Sequence, residues 1–295
     1  IYMVQPQGFS VGKHKVCKLL KSVYGLKRSP RNWNHLINKF LLDLGFAPSA
    51  VDPCVYIKIG EGGTMTIVTL YVDDLVLAAS NMTLINGFKD AIKGQYKTKD
   101  LGELRWVLGM EVRRDREKRT LEIVQTSYIK QMLERFGMAD CNPVATPADP
   151  NVHLSRLDSS KQKPDEWYRS LVGALLYAAM VTRPDIAYAV QMLGRHLIAS
   201  GEEHRTAAKR VLRYLKGTMD QGIVYGRRTD GNILLVGYSD ADWAGDRATR
   251  RSTTGYVFVL AGGAICWASK LQPTVALSTA EAEYMACLLY TSDAA

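Results

Sequence analysis

The stretch Thr66-Ile-Val-Thr-Leu-Tyr-Val-Asp-Asp-Leu-Val-Leu-Ala-Ala79 decides the reading of this chain. Ile67 to Val72 and Leu75 to Ala79 are rich in β-branched and apolar residues. They predict two strands joined tightly at Asp73 and Asp74, as a central, buried hairpin. Two carboxylates this close repel, and burying unpaired charge costs on the order of several kcal/mol. The pattern therefore calls either for a hard divalent cation such as Mg²⁺ or for water around the acids. An isolated Asp-Asp is more often an ordinary turn, because Asp is a common turn former. The weight of the reading falls on the residues around it.

Outward from the hairpin, periodicity and punctuation organise the chain. Arg31 to Leu44 sets Trp33, Leu36, Ile37, Phe40, Leu41 and Leu44 on one helical face, and Gly45 stops it. Met82 to Tyr96 predicts a second helix. Leu104 to Val112 and Thr120 to Val124 predict a strand pair across a charged turn, and Ser127 to Phe136 a third helix closing at Gly137. Helices alternating with an antiparallel sheet give an α+β class. From Asn142 to Pro164, four prolines interrupt a polar stretch, which reads as a linker. Trp167 to Val181, Ile186 to Ile198 and Gly201 to Gly217 then predict helices. The last carries Ala208, Val211, Leu212 and Leu215 on one face. Its other face carries Arg205, Lys209, Arg210, Arg213 and Lys216, either a solvated face or a track for a phosphate backbone. Beyond Gly222 short strands return at 222–225, 233–238, 254–260 and 264–267, and a helix opens over Ser278 to Ala286.

Three ordered motifs carry a specific likeness. Ser22-Val-Tyr-Gly-Leu-Lys-Arg-Ser-Pro-Arg-Asn-Trp33, Tyr71-Val-Asp-Asp74 and Asp100-Leu-Gly-Glu-Leu-Arg-Trp-Val-Leu-Gly-Met-Glu-Val112 resemble, in order and spacing, the reverse transcriptase of copia-type LTR retrotransposons. The resemblance continues through Thr182-Arg-Pro-Asp-Ile-Ala-Tyr188. It extends into Tyr238-Ser-Asp-Ala-Asp-Trp-Ala-Gly-Asp246 and Ser278-Thr-Ala-Glu-Ala-Glu-Tyr-Met-Ala286, which are similar to the family's ribonuclease H segment. It covers essentially residues 1 to 286.

The resemblance implies a palm-like antiparallel sheet with helices over 1–141, a linker over 142–164 and a helical thumb or connection region over 165–221. A ribonuclease H-like α/β domain, truncated at its C-terminus, is implied over 222–286. It also implies an RNA-directed DNA polymerase working by two-Mg²⁺ nucleotidyl transfer, with Mn²⁺ as the alternative ion, and an associated ribonuclease H that cleaves the RNA of an RNA–DNA hybrid. Asp73 and Asp74 match the family's metal-binding polymerase acids. Tyr71, Gly25, Lys27 and Arg28 match its nucleotide- and template-contacting region, and Trp106, Leu108, Gly109 and Met110 its primer grip. Asp240 and Glu283 match its ribonuclease H metal ligands, with Asp242, Asp246 and Glu281 as nearby acids in other roles. Partners implied are RNA template, DNA primer, RNA–DNA hybrid and dNTPs, the protease and integrase modules of a Pol polyprotein, and a possible dimer. Reverse transcription is expected in cytoplasmic virus-like particles.

Composition agrees. Among 295 residues, 38 basic and 29 acidic side chains give a formal charge of +9, which favours a polyanionic partner. Basic residues cluster at Lys13, Lys15, Lys18, Lys21, Lys27, Arg28 and Arg31, and again at Arg113, Arg114, Arg116, Lys118 and Arg119, the second cluster reading equally well as solvated surface. Five cysteines with no Cys-x-x-Cys spacing suggest neither a disulfide framework nor a zinc site. No apolar run approaches the ~20 residues needed to span a bilayer, and the N-terminus has no signal-peptide pattern. A membrane role is not expected.

Departures from the family pattern bear on activity. The family places a further metal-binding Asp upstream of Ile1 and another beyond the helix at Ser278, so the fragment is expected to be inactive alone. Cys287-Leu-Leu-Tyr-Thr-Ser-Asp-Ala-Ala295 resembles the translation of a transposase adapter used in sequencing libraries, which sets the expected end of native coding sequence near Ala286. Two rival functions stand beside the polymerase. One is a non-catalytic nucleic-acid-binding remnant of a decayed or domesticated element. The other is a Mg²⁺-dependent nuclease, against which the ordered motifs of the first half count.

Overall fold

The computed structural model describes residues 1–12, 14–155, 157, 165–226 and 234–293. Lys13, Ile233 and most of the linker's far end up to Pro164 lie outside them. The chain forms two compact units, Ile1–Glu103 and Leu104–Ala295, so it divides inside the region 1–141 rather than after it. Helices and antiparallel sheets are mixed throughout, as the α+β reading expects.

The first unit begins with a short antiparallel pair, β1 (Tyr2–Val4) and β2 (Val16–Lys18). In α1 (Ser29–Asp43) a proline sits in the first turn, where its fixed φ suits a helix start and its missing N–H costs nothing. Ile37 and Leu41 are fully buried, and Trp33, Phe40 and Leu44 pack around them. Leu36, expected on the same face, lies at the edge of that stripe and is 54% exposed. Gly45, at φ +82°, ends the helix. Its N–H donates to Leu42 O (2.9 Å) and the Phe46 N–H to Leu41 O (3.0 Å), the paired bonds of a Schellman stop.

Four strands follow, β3 (Ala47–Pro48), β4 (Val55–Ile59), β5 (Met65–Tyr71) and β6 (Asp74–Ala79), antiparallel in that order. α2 (Met82–Gln95) is capped by Asn81, whose side chain accepts the Leu84 N–H at 3.0 Å. On β5, Thr66, Val68 and Leu70 point inward while Met65, Thr69 and Tyr71 are exposed. Val68 and Leu70 join Phe88 and Ile92 of α2 and Ile37 and Leu41 of α1 in one core. Each such side chain contributes about 1.5–3 kcal/mol by burial. This corrects the expectation of a buried, central hairpin. β6 is the edge strand of its sheet, and the acids at the tip are exposed.

The second unit opens with β7 (Trp106–Val107), β8 (Met110–Asp115) and β9 (Thr120–Val124). The single strand expected over 104–112 is instead a tight hairpin that turns at Leu108 and Gly109. α3 (Thr126–Arg135) ends at Gly137 (φ +68°) in a second Schellman stop, with Met138 N–H on Leu133 O at 2.8 Å. α4 (Glu166–Val181), α5 (Ala187–Gly194) and α6 (Glu202–Gly217) then pack with α3 around Leu171, Leu175, Leu193, Leu212 and Leu215. The helix expected over 186–198 is shorter than that: a 3₁₀ turn at Pro184–Ile186 precedes α5, which stops at Gly194.

β10 (Ile223–Gly226) pairs with β9, completing a sheet ordered β10-β9-β8-β7. The strand read as the start of the ribonuclease H segment thus covers an edge that β9 would otherwise expose. Gly222 permits the approach, since a Cβ there would stand 2.2 Å from Ile123 O. A separate sheet holds β11 (Val236–Ala241), β12 (Thr253–Leu260) and β13 (Gly263–Leu271), all antiparallel, with α7 (Thr279–Asp293) against β11 and β12.

The basic face of α6 meets protein. Arg213 Nε donates to Asn142 O (2.7 Å), Arg210 donates to Thr146 Oγ1 (2.9 Å) and lies 3.6 Å from Asp149, and Arg205 pairs with Asp165. Arg205 and Lys209 also stack over the Trp167 ring at 5.3 and 5.8 Å. The described part of the expected linker is strapped along this face. In the second basic cluster, Arg113 is likewise engaged by Glu111 (3.0 Å) and Glu122 (3.6 Å), and Lys118 by Asp115 (3.4 Å).

Candidate active site

β5 and β6 pair in register down to Tyr71 opposite Asp74, leaving Val72 and Asp73 as a two-residue loop. Val72 takes φ +53°. Two-residue hairpins need a positive φ at their first loop position, which Gly, Asn or Asp supplies at little cost. A β-branched residue there is a steric outlier that the surrounding contacts must hold. Trp33, one helical turn into α1, supplies one of them: its indole N–H donates to Val72 O at 2.5 Å. Trp33 is itself fixed by an edge-to-face contact with Tyr96 (5.5 Å, 79°).

Asp73 and Asp74 are both exposed. The Tyr24 hydroxyl, 49 residues upstream, donates to Asp73 Oδ2 at 3.1 Å. That hydrogen bond and the Asp73 charge, with a smaller contribution from Asp74, push the Tyr24 hydroxyl above its ordinary range and keep it a donor. Tyr24 and Trp33 were missed as site residues from sequence, although both lie in the quoted Ser22–Trp33 segment. A tyrosine beside the glycine and a tryptophan one helix turn beyond the proline were the available signal.

Gly25 adopts φ +88°, with nothing within 4 Å of where a Cβ would be. Within the protein its requirement is torsional, and the space where a Cβ would stand is open. Lys27, Arg28 and Tyr71 are exposed on the same unit. Trp106, Leu108, Gly109 and Met110 belong to the second unit and form the β7–β8 hairpin. Leu108 (φ +50°) and Gly109 (φ +80°) make its turn, and the Tyr177 hydroxyl of α4 donates to Leu108 O at 2.6 Å. Positive φ at both loop positions is the type I′ pattern.

Asp240 and Glu283 are brought together. The Ala241 N–H faces both, at 2.9 Å from Asp240 Oδ1 and 3.4 Å from Glu283 Oε1. Asp240 also lines a cleft of about 690 Å³ with Asp185, Tyr188, Tyr238, Asp242 and Trp267. The neighbouring acids have partners of their own. Asp242 accepts the Thr253 N–H at 2.5 Å, Asp246 pairs with Arg195 at 2.9 Å, and Glu281 accepts the Leu277 N–H at 2.6 Å ahead of α7. In Thr182-Arg-Pro-Asp, Arg183 is 1% exposed, grips Asp185 through two nitrogens (2.9 and 2.6 Å) and donates to Thr218 O at the end of α6. Its role is structural.

Oxygen donors at Asp73 with Asp74, and at Asp240 with Glu283, have the chemistry of a hard divalent cation. Among the described residues, no three acid, histidine or cysteine side chains gather into a metal-holding cluster. No helix among them is long and apolar enough to cross a membrane.

A family model described as reverse transcriptase (RNA-dependent DNA polymerase) matches residues 1–150. The chain is 43% identical over 294 residues to the retrovirus-related Pol polyprotein from transposon TNT 1-94 of Nicotiana tabacum, covering 97% of this chain and 22% of that protein. It is 40% identical over 288 residues to the retrovirus-related Pol polyprotein from transposon RE1 of Arabidopsis thaliana, covering 96% and 19%. An uncharacterized mitochondrial protein of Arabidopsis thaliana is 37% identical over 224 residues, 76% of this chain and 91% of that protein. The chain thus spans about a fifth of the two polyproteins' length. No solved structure matches it. A strained Asp-Asp hairpin on an α+β scaffold, a family match over residues 1–150 and polyprotein relatives aligned along nearly the whole chain converge: this protein belongs to the reverse transcriptase family, in the copia-type retrotransposon Pol lineage.

Proposed function

We propose that the chain is the polymerase part of a retrotransposon Pol polyprotein, copying RNA into DNA at Asp73 and Asp74. The observation that carries this reading is the exposed pair of carboxylates at the tip of the hairpin, Asp73 in the strained two-residue loop and Asp74 at the start of β6, with Tyr24 and Trp33 holding the loop. When bound, two Mg²⁺ ions would supply charge stabilisation for the attacking and leaving oxygens. Asp73 and Asp74 would hold them in part, with water and nucleotide phosphates completing the shells. The chain's own contribution is positional: the hairpin fixes where the carboxylates stand, and Lys27 and Arg28 supply positive charge for phosphates. Exposure of the tip suits a substrate as large as a primer–template.

Asp240 and Glu283, sharing the Ala241 amide beside a cleft, support a second activity, cleavage of RNA in an RNA–DNA hybrid. The Trp106–Met110 hairpin is proposed as the primer grip and cytoplasmic particles as the setting. Primer extension on an RNA template with Mg²⁺ tests the main reading, in this chain and in a polyprotein-length form. Asp73→Asn with Asp74→Asn is expected to abolish extension while leaving hybrid cleavage, and Asp240→Asn to do the converse. Salt-sensitive RNA binding with no extension in either form would favour the non-catalytic remnant.

A further inference from the structure

Tyr24 is 86% exposed and belongs to no core, so packing does not explain where its ring sits. Its loop is nevertheless tightly specified. Gly25 turns at φ +88°, Ser29 Oγ donates to Val23 O at 2.7 Å, and the Ser29 N–H donates to Leu26 O at 3.0 Å. From this segment two side chains reach two consecutive residues of the hairpin loop: Trp33 takes the Val72 carbonyl and Tyr24 the Asp73 carboxylate. A carboxylate on an exposed loop otherwise samples several rotamers, and one hydrogen bond to one oxygen restricts that choice while leaving the other oxygen free.

We infer that Tyr24 is a positioning residue for Asp73, its phenol orienting the carboxylate for a divalent cation. The inference rests on the reading of Asp73 as a metal ligand. Outer partners of ligating groups typically change metal affinity or activity by about 10–100-fold when removed. Tyr24→Phe deletes only the hydroxyl.

The test is Mn²⁺ titration followed by electron paramagnetic resonance on the full chain with primer–template bound, in an Asp240→Asn background that removes the second proposed metal site, comparing Tyr24→Phe and Asp73→Asn with the unchanged hairpin, with thermal melting alongside. The expected result is Mn²⁺ binding weakened about tenfold or more in Tyr24→Phe, lost in Asp73→Asn, with an unchanged melting temperature in Tyr24→Phe. Unchanged or tighter binding in Tyr24→Phe, with loss in Asp73→Asn, would overturn the inference and spare the metal reading. No loss in Asp73→Asn would overturn both.

Discussion

Val72 at φ +53° and Leu108 at φ +50° are unfavourable backbone states for large L-residues, and both sit in the loops of tight hairpins within the stretch that the reverse transcriptase family model matches. Each is held by one side-chain donor on its carbonyl, Trp33 on Val72 and Tyr177 on Leu108. Gly25 solves the same problem differently, by having no Cβ. Since open space surrounds it, Gly25→Ala is a purely torsional test. The left-handed region costs a residue with a Cβ about 1–2 kcal/mol, so the variant is expected to lose about that much stability in chemical denaturation. A loss below a few tenths of a kcal/mol would show that the loop relaxes without its glycine.

At the scale of elements, α6 shows how a charged face becomes an internal one. Its arginines hold the segment around Asn142, Thr146 and Asp149, and its first turn holds Ser155 through His204, which is fully buried. His204 Nδ1 accepts the Gly201 N–H at 3.0 Å, and Nε2 lies 3.1 Å from Ser155 O, so the neutral ring with its proton on Nε2 serves both. Burial lowers its pKa below the ordinary 6.5 although Glu203 and the Ser155 carbonyl oppose this; Tyr168 and His196 are the adjoining rings. The sign follows. A folded-state pKa below the unfolded value means the unfolded chain binds the proton first, so stability is full above 6.5 and falls as pH drops through it. Denaturation midpoints between about pH 7 and about pH 5 are expected to fall more steeply for wild type than for His204→Gln, and equal slopes would count against this account.

For the whole molecule, a formal charge of +9 supports nucleic-acid binding, but the fold decides which cations are free for it. Arg205, Arg210 and Arg213 are engaged within the chain, whereas Lys15, Lys18, Lys21, Lys27, Arg28 and Arg31 are exposed. Salt titration of hybrid binding separates the two sets. Arg210→Ala is expected to leave the slope of log affinity against log salt unchanged, whereas Lys27→Ala with Arg28→Ala is expected to lower it by about one to two. By itself the sequence determined the Asp-Asp hairpin, the helices ended by Gly45 and Gly137 and the family, because strand alternation, helical stripes and glycine stops are local and the ordered motifs are specific. It did not show that the hairpin lies at an exposed edge, that β10 completes the sheet of β9, that α6 spends its charge on Asn142 to Asp149, or that Tyr24 meets Asp73. Those facts depend on which groups separated by tens of residues satisfy one another's hydrogen bonds, charge and buried area, and only the tertiary structure makes that choice.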